Sequence, residues 1–421
     1  MNKNILVISP NGFSKVNNGK TLELIFRKFD KKSLYCLFFR PYDNHLDYDY
    51  CESYYAVSES DIIKKMLSTN SKCGRVIDLN KETNNISSVR IYSIFKKNFI
   101  KHILFLRDFL WNTNLWDSND FNNWLNSSNI DAIFFHAPGY IGAHKMVRKI
   151  QNKINVPLIV YITDDYVVYN NGNLFQSIYK KRLIKEFQKT IGLSSLNYCI
   201  GDLMANEYKL FFNNKFNVLV NSVKTKELNL SIVRSKPIIS YFGGLHLGRH
   251  NMLLDLAKII KNNATFRVYT ASNISDEIVQ KFNDSGIELC DCLYGEQLQN
   301  AINNSDALLH IESKDKKYMQ KTMLSISTKL TEYMMNSKLI IAYGPEKVAS
   351  MRLVYENNLG LFIEANETKK EIFDKVKKVF VDDDLRNNYI SNAYNYVNKN
   401  FTEDIISSRL YNDINSLFSN E

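Results

Sequence analysis

The chain has 421 residues, of which 45% are hydrophobic and 23% charged, a composition that excludes an intrinsically disordered protein. Its formal net charge of +10 fits anionic partners in general, but no nucleic-acid-binding motif is present. No apolar run is long enough to cross a bilayer, and the first one, Ile5 to Ile8, is too short for a signal sequence. We therefore expect a cytoplasmic protein, and its length predicts two domains.

Six apolar segments in the first half of the chain predict buried strands, with helices between several of them. They are residues 4–10, 33–39, 131–139, 157–165, 196–202 and 216–222. The second half shows strands alternating more clearly with helix-length segments, at residues 237–244, 266–272, 287–293, 306–312, 327–345 and 359–365. Such alternation predicts βαβ units and a parallel sheet.

This order of elements predicts an α/β protein with two Rossmann-like, doubly wound domains that face a central cleft. We place the N-terminal domain at residues 1–225, a polar linker at 226–236, the C-terminal domain at 237–395 and a C-terminal helix at 396–421. A helix that returns to the N-terminal domain and a plain helical cap are both compatible with that tail. Ligands of such sheets bind beyond the carboxyl ends of strands, so residues after strands are the functional candidates.

Residues 88–111 form a basic and aromatic insertion with apolar residues at helical spacing. One interpretation is a helix on the membrane surface. The other, which we favour, is a helix packed on the first domain with a solvated basic face.

The segment "FGGLHLGRH" (residues 242–250) follows a predicted strand and precedes a predicted helix. Gly243 and Gly244 let the backbone approach a ligand closely, helix N-terminal amides favour an anion, and Arg249 can bind a phosphate with two parallel hydrogen bonds. The alternative is a tight turn with a surface arginine. We favour a phosphate site because a second cluster agrees with it.

The second cluster lies in "STKLTEYMMNSKLIIAYGP" (residues 327–345). Ser327 and Thr328 are natural N-cap residues, and Lys329 lies in the first turn, where a cation opposes the helix dipole unless an anion is nearby. Glu332 lies one turn further and can accept hydrogen bonds from sugar hydroxyls. The alternative is an ordinary capped helix with an exposed ion pair, which contributes little.

These segments, together with residues 106–139, 197–223 and 293–311, resemble bacterial glycosyltransferases of GT-B fold, specifically the family 4-like group of surface polysaccharide biosynthesis. The resemblance implies that Arg249 neutralises the donor diphosphate and that Glu332 holds the nucleotide ribose. It places the remaining candidates by their roles: Ser327, Thr328 and Lys329 at the phosphates, Leu293 and Tyr294 at the base, Gly19 and Lys20 on a loop lining the cleft, and His136 near the transferred sugar.

One position departs from the family pattern. Retaining members usually carry a glutamate eight positions before the ribose glutamate, and this chain has Leu324 there. If the reaction inverts configuration, a base must act on the opposite face of the sugar, and Asp164 and Asp165 are the first candidates, followed by His136. The alternative is that the histidine is a hydrogen-bonded structural residue and that the aspartates cap the next helix.

The resemblance implies a nucleotide-sugar-dependent glycosyltransferase (a hexosyltransferase) that extends a saccharide, on a lipid carrier, in capsule, exopolysaccharide or O-antigen biosynthesis. We expect no cofactor and no metal, no nucleic-acid partner, and a cytoplasmic location that includes peripheral contact with the inner membrane face. A GT-B sugar-nucleotide epimerase and a non-catalytic GT-B partner protein remain as alternatives.

Overall fold

The computed structural model describes the whole chain except residues 1, 2, 15, 16, 40–45, 48, 78–99, 170–173, 231, 262, 420 and 421. The chain divides into two compact units, the first formed by Met1–Val220 with Ile406–Glu421 and the second by Asn221–Ile405. The domain and linker limits expected from the sequence stay a prediction.

The first unit is built on one sheet with the strand order β4-β3-β2-β1-β5-β6-β7-β8, in which neighbours are parallel except for the antiparallel pair β3 and β4. Its strands are β1 (Ile5–Ser9), β2 (Leu34–Phe38), β3 (Ser53–Ala56), β4 (Arg75–Val76), β5 (Ala132–His136), β6 (Leu158–Ile162), β7 (Leu196–Cys199) and β8 (Asn217–Val218). Every residue of β1, β5 and β6 is buried, as expected of central strands covered on both faces.

The helices of the first unit cover this sheet. They are α1 (Asn17–Ile25), α2 (Glu59–Leu67), α3 (Ile100–Asn112), α4 (Asn119–Ser127), α5 (Ile141–Ile154), α6 (Leu174–Gly192) and α7 (Asp202–Phe212). Local capping defines several starts: Ser58 and Asp61 form a reciprocal capping box on α2, and the Ser118 side chain accepts the Phe121 N–H of α4.

The second unit contains a fully parallel sheet with the order β11-β10-β9-β12-β13-β14. Its strands are β9 (Ile238–Phe242), β10 (Thr265–Thr270), β11 (Ile287–Asp291), β12 (Ala307–Ile311), β13 (Leu339–Gly344) and β14 (Leu361–Glu364). The helices are α8 (Arg249–Ile260), α9 (Asp276–Asp284), α10 (Gly295–Asn303), α11 (Lys316–Thr322), α12 (Thr328–Met335), α13 (Ala349–Glu356), α14 (Lys369–Val381), α15 (Asp383–Asn400) and α16 (Glu403–Ser416). The prediction of a doubly wound parallel sheet in this half is confirmed.

The strand order of the second unit reverses between β9 and β12, which are neighbours in the sheet although two strands separate them in sequence. Such a switch point leaves a crevice beyond the carboxyl ends of the two strands, because the connections leave in opposite directions. The segments that follow β9 and β12 therefore meet at one place, and both carry charged residues.

Helix α16 begins in the second unit, but from Ile406 onward its residues belong to the first. The backbone N–H of Lys28 donates to Ser407 Oγ at 2.7 Å, and the Tyr198 hydroxyl donates to the Asp413 carboxylate at 2.5 Å. The apolar face of the helix is buried, with Leu410 fully enclosed. The C-terminal helix is thus an integral part of the first unit.

Candidate functional site

Arg249 is the first residue of α8 and lies at the switch point of the second unit. Its Nε–H donates to the Ile311 carbonyl at 3.2 Å, and its Nη2 donates to Glu312 Oε1 at 3.0 Å. The side chain is only 16% exposed, and that of Glu312 only 4%. Ile311 ends β12 and Glu312 follows it. The end of β12 therefore orients the guanidinium of Arg249, which belongs to the segment that follows the neighbouring strand β9.

Lys329 approaches the same place from the first turn of α12. A Cβ placed on Gly243 would lie 2.4 Å from Lys329 Nζ and 3.0 Å from the Tyr241 hydroxyl oxygen, so only a glycine permits this packing. The Tyr241 hydroxyl itself donates to the Gly244 carbonyl at 2.7 Å. The two glycines after β9 thus bring a lysine ammonium and a backbone turn close together, as close approach to a ligand requires.

The electrostatics of this cation cluster, defined as Arg249 and Lys329, favour an added anion. Burial, and then the positive charge of Arg249, lower the pKa of the Lys329 ammonium, whereas the nearby Glu332 opposes that shift. Burial likewise raises the pKa of the Glu312 carboxyl, although Arg249 opposes it. The lowered pKa of Lys329 reflects repulsion between the positive charges of Arg249 and Lys329, and a phosphate group bound between them would reduce that repulsion.

Two helices start at the cluster without a side-chain cap. Ser327 is the N-cap of α12 and Gly248, with φ 73°, the N-cap of α8. The Ser327 side chain makes no capping hydrogen bond, Gly248 has no side chain to make one, and neither first turn, both within the described residues, contains an acidic residue. Those amides and the helix dipoles therefore add to the positive potential. Thr328 is exposed at the start of α12, beside Lys329.

The predicted base and ribose positions flank this cluster. Tyr294 is the N-cap of α10 and 65% exposed, and Leu293 is half-buried before it. Glu332 is half-buried one turn after Lys329. Leu324, where retaining glycosyltransferases carry a glutamate, is buried and contributes no carboxylate.

In the first unit, His136 ends β5 and is buried. Its Nδ1 lies 3.2 Å from Ser9 Oγ, and its Nε2 lies 3.0 Å from Thr163 Oγ1. Burial lowers the pKa of the imidazole to about 4, so the ring is neutral at physiological pH. Both nitrogens are occupied, and the geometry places His136 behind Thr163 rather than at the surface.

Asp164 and Asp165 follow β6 but point into different surroundings. Asp164 is exposed, and its Oδ2 accepts hydrogen bonds from Thr163 Oγ1 at 3.5 Å and from the Tyr166 hydroxyl at 3.3 Å. The surrounding protein nevertheless desolvates this carboxyl and raises its pKa above the ordinary value. Asp164 is therefore the member of the pair that a substrate can reach.

Asp165 is buried and accepts hydrogen bonds from four donors, at distances between 2.7 and 3.0 Å: the backbone N–H groups of Val167, Val168 and Tyr169 and the hydroxyl of Tyr208. This carboxylate binds backbone amides of the loop after β6, whereas the next helix, whose capping was the alternative expected from the sequence, is α6 and begins at Leu174. A role for Asp165 in proton transfer stays a prediction that the geometry does not favour.

Gly19 lies in the first turn of α1 and packs against the loop after β1. A Cβ there would lie 2.1 Å from Ser14 Oγ and 2.5 Å from the Gly12 carbonyl oxygen, so this loop also depends on a glycine. Lys20, the next residue, is exposed.

The described part of the basic insertion is α3, while residues 88–99 lie outside the described residues. Arg107 Nε donates to Glu59 Oε1 at 2.6 Å, and its guanidinium lies 3.7 Å from the centre of the Tyr140 ring. Asp108 and Trp111 are buried. This part of the insertion packs on the first unit, and its contact with a membrane stays a prediction.

The described residues contain neither a metal-binding cluster nor a helix that could cross a membrane. No three histidine, cysteine or acidic side chains come together in a way that would hold a metal ion. Within the same residues, no helix combines the length and the apolar character needed to cross a bilayer.

Sequence reasoning did not single out Glu312, Tyr241 or Thr163. Glu312 and Thr163 come directly after strands, the position that supplied the other candidates, and Tyr241 is the last residue but one of β9. The contact of Glu312 with Arg249 and that of Thr163 with His136 depend on which strands are neighbours, and that information is not in the local sequence.

Known structures share this fold. HepE of Anabaena in complex with UDP has a TM-score of 0.66 and 11% identity, covering 98% of this chain and 100% of that chain. Sucrose-phosphate synthase of Thermosynechococcus elongatus has a TM-score of 0.66 and 10% identity, covering 100% of both chains. WaaG, a glycosyltransferase involved in lipopolysaccharide biosynthesis, has a TM-score of 0.57 and 10% identity, covering 96% and 98%. HepE complexes with UDP and glucose and with UDP-glucose each have a TM-score of 0.64.

No family model and no curated protein matches the sequence. The similar structures confirm the predicted fold class, an α/β protein with two Rossmann-like units of the GT-B glycosyltransferase type. At such low identity they show the fold alone, because one fold serves many functions.

Proposed function

We propose that this protein is a glycosyltransferase that uses a nucleotide sugar, with UDP as the leaving group. The observation that carries the proposal is the cation cluster: Arg249 held against the end of β12 and Lys329 packed on Gly243, both at uncapped helix N-termini. Fixed N–H donors and cations of this kind stabilise the charge of a departing diphosphate without reorganisation during the reaction. The UDP and UDP-glucose complexes of HepE support the choice of nucleotide.

We assign the remaining donor contacts as the family resemblance implies them. Glu332 accepts hydrogen bonds from the ribose hydroxyls, the amides around Ser327 and Thr328 bind phosphate oxygens, and Leu293 and Tyr294 contact the base. In a retaining reaction, the departing phosphate itself takes the acceptor proton. In an inverting reaction, Asp164 is our candidate base, because it is exposed and its carboxyl pKa is raised toward the working pH.

The acceptor we propose is a growing saccharide of the cell surface, carried on a lipid. WaaG, which shares the fold, acts in lipopolysaccharide biosynthesis, and this supports the pathway class. The basic residues of the insertion at 88–111 and the net charge of +10 are consistent with electrostatic attraction to an anionic membrane surface.

Substitution of Arg249 tests the proposal. We expect Arg249→Ala to weaken UDP binding by about 1.5–3 kcal/mol, because a charged hydrogen-bond donor to the diphosphate is lost. Isothermal titration measures the change, and release of UDP from UDP-glucose in the presence of saccharide acceptors measures transfer.

The matched control is Arg267→Ala, which removes an arginine of the same unit that pairs with Glu288 on the neighbouring strand. It should leave UDP binding unchanged. Equal affinities in the wild type and Arg249→Ala would contradict the proposal. Conversion of the nucleotide sugar without acceptor and without UDP release would indicate an epimerase instead.

A further inference from the structure

Glu312 places a buried negative charge beside the cations to which we assign a diphosphate. Its side chain is 4% exposed and its Oε1 lies 3.0 Å from Arg249 Nη2. By itself this charge repels an anionic ligand and costs desolvation energy, since a buried ion pair is often no more stable than apolar residues in its place. Stability alone therefore does not account for it.

The geometry shows what the carboxylate does. Glu312 and the carbonyl of the preceding Ile311 accept from Nη2 and Nε of the same guanidinium, so consecutive residues at the end of β12 bind one edge of Arg249. A guanidinium is planar and carries five N–H donors. Fixing one edge fixes the plane of the guanidinium, which also contacts the Tyr241 hydroxyl, and it leaves Nη1 outside the two bonds to the end of β12.

We infer that Glu312 is a positioning residue: it holds the Arg249 guanidinium in the one orientation that presents its remaining donors to the ligand diphosphate. This inference rests on the proposed function. It requires that the gain from a preoriented arginine exceed the repulsion from the carboxylate. An arginine that is already fixed loses little side-chain freedom when the ligand binds.

The direction in which one substitution changes UDP affinity distinguishes positioning from simple repulsion. Glu312→Gln keeps the shape of the side chain and removes the charge. If Glu312 only repelled the ligand, the glutamine variant would bind UDP more tightly. Positioning predicts the opposite, a loss of about tenfold in UDP affinity, equivalent to about 1.4 kcal/mol.

A double-mutant cycle with Arg249→Ala separates this role from general destabilisation. Because Glu312 acts through Arg249, Glu312→Gln should cost no further UDP affinity once Arg249 is alanine.

The matched control is Asp306→Asn, which changes a buried carboxylate that pairs with Arg234 at 3.0 Å at the other end of β12. It should lower the unfolding temperature of the second unit and leave UDP affinity unchanged.

Isothermal titration with UDP, together with calorimetric unfolding of each variant, provides the readouts. If Glu312→Gln does not fold, Glu312→Asp provides the same cycle, since it keeps the charge but withdraws it from Nη2. Unchanged or tighter binding by the Glu312 variant, or an equal loss in the Arg249→Ala background, would overturn the inference and leave the proposed function intact. A wild-type protein that binds no UDP would overturn both.

Discussion

Several features of its surroundings disfavour the positive charge of Lys329. It lies in the first turn of α12, where its charge opposes the helix dipole, and Arg249 and burial both lower its pKa. A bound diphosphate would offset both the repulsion from Arg249 and the unfavourable interaction with the helix dipole, which is why we assign the site to an anionic ligand.

Gly243 permits this arrangement, and its substitution is a test at the residue scale. In Gly243→Ala, the new Cβ would lie 2.4 Å from Lys329 Nζ, so the flexible lysine end must move away. We expect UDP affinity to fall about tenfold, or ~1.4 kcal/mol, with little change in stability. Gly192→Ala is the control, because a Cβ there meets no atom within 4 Å. Titration calorimetry that shows equal UDP affinity in both variants would exclude this role for Gly243.

At the residue scale, local sequence pattern marked segments that lie close together in the structure, whereas their assignment to a ligand stays a prediction. Glycines after a strand followed by an arginine at a helix start, and a lysine after N-cap residues, marked the segments that the structure brings together. Asp164 and Asp165 could not be separated in this way, because adjacent identical residues differ only in the direction of their side chains. The loop after β6 buries one of them and exposes the other.

At the element scale, α16 packs on the first unit through its apolar face, and this packing contributes to the stability of that unit. We expect Leu410→Ala, at a fully buried position of that helix, to lower the free energy of unfolding by about 2–5 kcal/mol through lost burial and a cavity. Leu210→Ala in α7 is the control, since Leu210 is 79% exposed and should change stability by less than about 0.5 kcal/mol.

Tryptophan fluorescence during urea unfolding measures both variants. The chain has three tryptophans, Trp111, Trp116 and Trp124, and all of them belong to the first unit, so the signal follows the unit in question. A Leu410→Ala variant as stable as the wild type would show that α16 does not pack as described.

The sequence predicted most strands correctly and missed β3 and β4. The correct ones are continuous apolar runs of the kind that central parallel strands require. By contrast, Ser53–Ala56 is short, and Arg75–Val76 is short and exposed on the sheet edge, so neither leaves a periodic apolar signal. Edge strands depend on pairing with a neighbour, which local pattern does not encode.

At the scale of the whole molecule, buried histidines couple stability to pH. Burial lowers the pKa of His136 to about 4 and that of His144 to about 3, below the ordinary value of 6.5. Below pH 6.5 the unfolded chain therefore binds protons that the folded chain does not, and the free energy of unfolding falls as the pH decreases toward 4. Asp108 acts in the opposite direction, because burial raises its carboxyl pKa to about 6.

We predict that His144→Asn makes the free energy of unfolding depend less steeply on pH, by up to about 1.4 kcal/mol per pH unit between pH 6 and 4. The reason is that the variant lacks the imidazole that stays neutral in the folded chain and binds a proton in the unfolded chain. Asp108→Asn should make the dependence steeper. Urea unfolding followed by tryptophan fluorescence at several pH values measures both slopes. Parallel slopes in the wild type and His144→Asn would contradict the shift.

The sequence identified the kinds of elements in both units but not which of them are neighbours. That β5 pairs with β1, and β12 with β9, follows from packing of the complete sheets over long sequence separations. The pairing places Ser9 beside His136, and Glu312 beside Arg249. Sequence pattern therefore marked the candidate segments, whereas the structure connects their side chains.

The most direct test of our central claim is a crystal structure of the protein with UDP. We predict diphosphate oxygens within hydrogen-bonding distance of Arg249 and Lys329, next to the first amides of α12, with the ribose at Glu332. A structure at saturating UDP in which the nucleotide binds elsewhere, or in which the cation cluster holds no ligand, would contradict it.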